Sequence, residues 1–320
     1  MHWDLFKTVL VAGVVQAGLY GLLPVSIILS YRISRTIAFV HGGIAAATAL
    51  SYWMLTIHSE LIPNYLYSIH GHRLGHRPEI SPFVAMLLAT AFGAVLGGIY
   101  GVIVMDARIA GSAVLTLTVV SLGAMMLLIG IFNEFYVFSD MVPPSPFGTG
   151  VKNIWGVYLT THKVISLLVV AGVSIALAVW LSRTHTGLVI RALADDQEAG
   201  VWCGVKLHAT GTLVYAGSGA FAGLAGVLIA VVGGPNPADM IVLFLRGLAI
   251  AVVGGLRSLP IAFLAALLFG LTETALIVGF FGSVSPARTE IILSGQLLAI
   301  IVIAARLRKE SFFLLERQSL

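Results

Sequence analysis

Few residues in this 320-residue chain can do chemistry, so what matters first is whether they converge. Four histidines, His58, His70, His72 and His76, crowd the stretch from His58 to Pro82, and imidazole is a common metal ligand. A metal centre needs converging ligands and an outer shell that orients them, and no recognised zinc pattern is present. A solvated external loop is therefore expected there, and no metal. Glu273 lies deep in an apolar run, where a charge costs about 2.5–3.5 kcal/mol and is usually paired or turned into the protein. Arg246, in the preceding apolar run, has the sign of a partner.

His41 opens another apolar segment, next to Gly42 and Gly43; taken alone it is a buried, hydrogen-bonded histidine. A second glycine pair, Gly254 and Gly255, separates two apolar runs just before Pro260. Glycine pairs that interrupt hydrophobic segments in both halves of a chain point to discontinuous helices around a transport path, although close helix packing also uses glycine. His41, Gly42, Gly43, Arg246, Gly254, Gly255 and Glu273 are accordingly the candidate path residues.

Catalytic signals are missing. No Gly-rich loop with Lys and Ser or Thr follows a strand, so any ATP hydrolysis belongs to another chain. No Ser, His and Asp set sits on soluble scaffolding, which leaves an intramembrane hydrolase a weak alternative. No catalytic residue and no cofactor are expected. The lone Cys203 excludes an intrachain disulfide and a thiolate zinc site.

The elements that must hold these residues follow from composition. Mean hydropathy is +1.01, with 58% hydrophobic and 10% charged residues, far below the roughly 25% charge of soluble domains. Apolar runs of about 20 residues recur to the end of the chain, and in lipid such runs must be helices. The expected architecture is all-α: a polytopic transmembrane bundle of eight or nine spans, treated as one domain over 1–320. The spans are Val9–Ser30, Thr36–Ile57, Phe83–Met105, Gly111–Phe132, Val164–Leu181, Thr210–Val232, Ile241–Leu256, Leu259–Phe281 and Ile291–Ala305. The first run is longer than a signal-peptide core and is expected to be retained. Gly93 with Gly97, and Gly219 with Gly223 and Gly226, have the spacing of close helix contacts. A net charge of +4 without a run of Lys and Arg gives orientation rather than nucleic-acid binding. With the amino terminus outside, most of the 18 Lys and Arg fall in cytoplasmic segments.

One of those segments, 183–208, has a helix signature of its own. Asp195 with Glu198 three residues on is spaced as a capping box, and Gly204 can end the helix in a left-handed conformation. Val201 and Trp202 would then be offered to a partner's groove.

The same loop resembles that of the branched-chain amino acid permease family of ATP-binding-cassette importers, in Arg183, Thr184, Gly187, Arg191, Ala192, Asp196, Glu198, Ala199 and Gly204. The likeness continues through Ser218–Gly226, Leu245-Arg246, Ala251–Leu256 and Gly270–Glu273, and Ile37–Gly42 is similar to the family's segment before the second span. The chain departs from the pattern in carrying Arg246 for the usual lysine, Arg257 for a glycine, Ala265-Ala266 for a later glycine pair, and no asparagine before His41. The resemblance implies a permease subunit of the bacterial inner membrane. It implies cytoplasmic ATPase subunits, a second permease that is identical or homologous, an external or periplasmic solute-binding protein and surrounding lipid as partners. Arg191, Asp195, Asp196, Glu198, Ala199, Trp202 and Gly204 become the candidate ATPase-coupling residues. The alternative is an ion-coupled secondary transporter or channel, in which intramembrane carboxylates carry the ion.

Overall fold

In a computed structural model of the chain, the structure describes residues 2–56, 80–109, 111–135, 142–256, 258–278, 291–296, 298–299 and 302. The histidine-rich stretch 57–79, and Arg257, lie outside the described residues. Ten helices are given in full: α1 (His2–Ser34), α2 (Val40–Thr56), α3 (Pro82–Ile109), α4 (Val114–Phe135), α5 (Thr161–Arg183), α6 (His185–Asp195), α7 (Gln197–Trp202), α8 (Leu207–Gly233), α9 (Pro237–Val253) and α10 (Leu259–Ile277). Residues 291–296 are also helical, and Thr272 of α10 donates to Gln296 at 2.7 Å.

Six of these helices, α1, α3, α4, α5, α8 and α10, are long and apolar enough to cross a membrane. The expectation of eight or nine spans is met only to that extent. The second and seventh expected spans became α2 and α9, each of 17 residues. At 1.5 Å per residue each reaches about 25 Å, short of the roughly 30 Å hydrocarbon core. The second loses its first turn because α1 stops at Ser34 and Arg35 turns to φ +53°, so the chain re-enters helix only at Val40. The seventh starts behind the rigid pair Pro235 and Pro237, with Asn236 accepting from the Ala238 N–H at 3.0 Å as its cap. The ninth expected span is described only in part, at 291–296, 298–299 and 302, all helical.

α2 is buried on nearly every face, as expected of a helix that is apolar all round. Around it stand α3, α4, α8 and α9, while α1 packs against α5, α8, α9 and α10. The tightest seam joins α3 to α8. A Cβ added at Gly93 would lie 2.8 Å from the Gly219 carbonyl and 3.1 Å from the Gly223 Cα, and one at Gly97 would lie 2.8 Å from the Gly219 Cα. Gly93 and Gly97 are thus in contact with Gly219 and Gly223, while Gly226, the third member of that set, is pressed against Ala45 of α2.

A two-stranded hairpin was not expected. β1 (Val151–Ile154) and β2 (Val157–Thr160) pair antiparallel across Trp155 and Gly156, both with positive φ, as in a two-residue hairpin turn. The alternation of buried Val157 and Leu159 with exposed neighbours lays β2 on Val15 of α1.

The seam can be tested by size. Gly219→Leu should lower the yield and melting temperature of the detergent-purified protein, by an overpacking cost of about 1–3 kcal/mol or more. Gly217→Ala, at a position with nothing within 4 Å, should leave both unchanged.

Candidate functional site

Three groups of polar side chains are built into this scaffold. The first surrounds the break between α1 and α2, where non-helical backbone is enclosed by protein. Ser34 receives hydrogen bonds from the Thr36 N–H at 3.3 Å and the Thr36 hydroxyl at 2.8 Å. Ser121 of α4 accepts from the Phe39 N–H at 3.2 Å and lies 3.0 Å from the Ile37 carbonyl. His41, 0% exposed, stands 2.9 Å from the Ala38 carbonyl through Nδ1 and 2.9 Å from the Ser218 hydroxyl of α8 through Nε2. A carbonyl only accepts, so Nδ1 carries the ring proton, and the Ser218 hydroxyl stands between Nε2 and the Tyr215 carbonyl, to which it donates at 2.9 Å. His41 is the buried, fully bonded histidine that its apolar surroundings suggested.

The second group is an ion pair inside the bundle. Arg246 Nη1 of α9 donates to Glu273 Oε1 of α10 at 3.0 Å, with side-chain exposures of 13% and 7%. The same nitrogen donates to the Tyr20 hydroxyl of α1 at 3.2 Å, and Gln16 donates to that hydroxyl at 3.2 Å. The guanidinium stands 5.7 Å from the centre of the Phe269 ring. Arg246, Tyr20 and Gln16 also line a cavity of about 500 Å³ that Asp239 closes with a carboxylate. Its remaining wall is largely apolar, including Leu19, Ile229, Val242 and Leu243. The partnership of Arg246 and Glu273, inferred from sign alone, is therefore real.

The four candidate glycines are explained by contacts. A Cβ at Gly42 would lie 2.8 Å from the Phe244 ring, and one at Gly43 would lie 3.0 Å from the Met125 backbone. Gly254 is pressed against Ser258 and Ala262, and Gly255, at φ +67°, turns the chain from α9 into α10.

The third group is the segment α6–α7. Thr184 caps α6 by accepting from the Gly187 N–H at 3.0 Å, and Gly187, Ile190 and Leu193 form its buried face. The capping expectation needs one correction. Asp195 is the last residue of α6, and it is Asp196 that accepts from the Ala199 N–H, at 3.1 Å, to cap α7. The chain breaks helix between the two aspartates, so the cap falls one residue later than the box spacing gave. Gly204 does adopt the left-handed conformation, at φ +85°, and the Gly204 and Val205 N–H groups close on the Val201 and Gly200 carbonyls at 2.9 and 3.1 Å, a Schellman ending. Trp202 is 89% exposed, Val201, Ala199 and Arg191 are exposed, and Arg191 lies 3.4 Å from the Ser182 carbonyl. Glu198 belongs to α7.

This segment is tied to the bundle by groups that spacing did not single out. Arg35, in the break after α1, donates from Nη2 to the Ala194 and Asp195 carbonyls, both at 2.9 Å, where a cation meets the negative end of α6. Gln197 donates to the Ile33 carbonyl and accepts from Arg108 at 2.8 Å.

The sequence profile of the family described as branched-chain amino acid transport system, permease component, matches residues 9–304. The chain belongs to this family. Among curated relatives, the probable branched-chain amino acid transport permease protein LivH of Methanocaldococcus jannaschii is 23% identical over 94% of this chain and 90% of its own length. The high-affinity branched-chain amino acid transport system permease protein BraD of Pseudomonas aeruginosa is 28% identical over 41% of this chain and 43% of its own length. No solved structure matches. As a member of the permease family with six helices among the described residues long and apolar enough to cross a membrane, the chain is a multi-pass membrane permease subunit of a transport system.

Within this permease, the residues that the sequence did not flag are Gln16, Tyr20 and Asp239 at the cavity, Ser218 and Ser121 at the break, and Arg35, Arg108 and Gln197 under α6 and α7. Asp239 had a signal: an acid two positions after Pro237 is a helix-opening pattern. Glu273 supplies the measurable test of the ion pair. Glu273→Ala should destabilise the folded permease by about 3–5 kcal/mol, because it leaves Arg246 buried without its anion. Glu273→Gln, which keeps an acceptor, should cost less, and the apolar pair Arg246→Met with Glu273→Leu should recover melting temperature in detergent.

Proposed function

We propose that this permease is the membrane subunit of an ATP-binding-cassette importer, moving branched-chain amino acids or a related small polar solute across the bacterial inner membrane, with 1–320 acting as one domain. Two permease subunits, identical or homologous, form the path, an external or periplasmic binding protein delivers solute, and separate cytoplasmic ATPases supply the energy. The carrying observation is the geometry of α6 and α7. An exposed tryptophan on a short capped helix is offered away from the bundle, while Arg35, Gln197 and Arg108 connect the same segment to the ends of α1 and α3. An outside protein that grips Trp202 would thereby pull on the break that leads into α2 and His41.

Arg191, Asp195, Asp196, Glu198, Ala199, Trp202 and Gly204 are assigned to this coupling surface. His41, Arg246 and Glu273 are assigned to the path, with Gly42, Gly43, Gly254 and Gly255 setting the helix approaches around it. The cavity between Arg246 and Asp239 suits a solute bearing both charges on a small apolar body. Ion-coupled secondary transport is less well supported, because Glu273 is engaged by Arg246 rather than held for an ion.

Orientation is tested with a reporter cysteine at His185 in a Cys203→Ala background. Only membrane-permeant thiol reagents should label it in intact cells, and labelling by an impermeant reagent would reverse the topology. Coupling is tested at Trp202, since tryptophan is frequent among interface hot spots, where truncation costs about 2 kcal/mol or more. Trp202→Ala should lower ATPase co-purification and solute-stimulated ATP hydrolysis at normal expression. Asp196→Ala should do so more mildly, through loss of a cap worth about 1 kcal/mol.

A further inference from the structure

Two cavities adjoin at the bundle end that carries α6, beside the proposed coupling surface, with which they share Arg191 and Asp195, and apart from the path residues. One, of about 300 Å³, is lined by Tyr31, Arg32, Arg35, Arg191, Ala194 and Asp195. Among the described residues, three guanidinium groups from α1, the break and α6 and one carboxylate line it. The other, of about 450 Å³, shares Arg32 and Arg191 as its upper wall and is otherwise largely apolar, formed by Ile175, Ala178, Leu181, Leu259, Pro260 and Phe263. Its α5 lining runs from Ser174 to Ser182, two turns or about 12 Å of that helix. Ser174 is buried in that wall, and its hydroxyl has no hydrogen-bond partner among the described residues.

A polar cation-lined chamber at the water end, opening onto an apolar groove that descends between spans, has the layout of one amphiphile. Guanidinium forks match phosphate oxygens, and basic pockets between membrane helices bind anionic head groups. A soluble phosphate would fill the first chamber and leave the second without an occupant of its own polarity. We propose that this double cavity holds one anionic glycerophospholipid, with its phosphate among Arg32, Arg35 and Arg191 and an acyl chain in the groove between α5 and α10. Because Arg35 also holds the carboxyl end of α6, the bound head group braces the segment that the proposed ATPase would engage.

The test uses the full-length protein, stripped of lipid in non-ionic detergent and titrated with phosphatidylglycerol, phosphatidylcholine or inorganic phosphate. Native mass spectrometry reads the adducts, and melting temperature reads the stabilisation. One phosphatidylglycerol should be retained and raise the melting temperature, while phosphatidylcholine should not. Arg32→Gln with Arg191→Gln should weaken retention by about ten-fold or more, the scale of losing charge-assisted hydrogen bonds. Arg32→Lys with Arg191→Lys, which keeps the charge, should lose less and covers a failure of the glutamine pair to fold. Ala178→Trp should weaken phosphatidylglycerol retention by filling the groove without altering charge. If inorganic phosphate stabilises equally and Ala178→Trp changes nothing, the site takes a soluble anion and the lipid is overturned. If the arginine variants lower only ATPase co-purification, the arginines serve a protein partner, and the lipid is again overturned.

Discussion

Backbone that leaves helical geometry inside a lipid-embedded bundle must bring its own hydrogen-bond partners, because hydrocarbon offers none. The break at 35–39 meets that requirement with Ser34, Ser121 and His41, each of which reaches a backbone group that a continuous helix would have satisfied internally, and the Thr36 hydroxyl bonds Ser34 in turn. His41 adds a second tie, to Ser218 on α8. Loss of any one of these partners would strand a buried polar group, at a cost of about 1–3 kcal/mol. The short length and deep burial of α2 follow from this arrangement.

The same break connects the membrane interior to the surface segment. Arg35 cannot continue α1, since its φ is positive, and the turn it makes sends its side chain to the carboxyl end of α6. One residue therefore ends a span, starts the irregular link to His41 and holds the surface helices. For the coupling proposed above, such sharing shortens the mechanical route to a few bonds.

How much of this was legible differed by element. The long apolar runs specified five helices to within four residues at each end and a sixth, α1, that begins seven residues earlier than expected, and the glycine spacings on α3 and α8 located their own contact. Gly204 was legible because a helix ending needs a left-handed residue. The pairing of Arg246 with Glu273 was legible from the expense of burying either charge alone. Hydropathy hid the shortness of α2, because the residues of the break, Ile37, Ala38 and Phe39, are as apolar as those of a helix, whereas the seventh run was already short in the sequence. The division of 183–206 into two helices at Asp195-Asp196 was hidden for a different reason: two adjacent aspartates can each cap, and only the packing of Leu193 and Gly200 against one another decides between them. The Gln16, Tyr20 and Asp239 cluster joins three helices distant in sequence, so no local pattern could assemble it.

The seam between α3 and α8 carries an evolutionary consequence. When two large side chains meet, drift in one can be compensated by shrinkage in the other, and lineages can exchange volume across the contact. At Gly93, Gly97, Gly219 and Gly223 both sides are already at the smallest residue, so no compensating change exists on either helix. Divergence in this permease must therefore accumulate on the outward faces of α3 and α8, while the seam itself can change only by remaking the distance between the two helices.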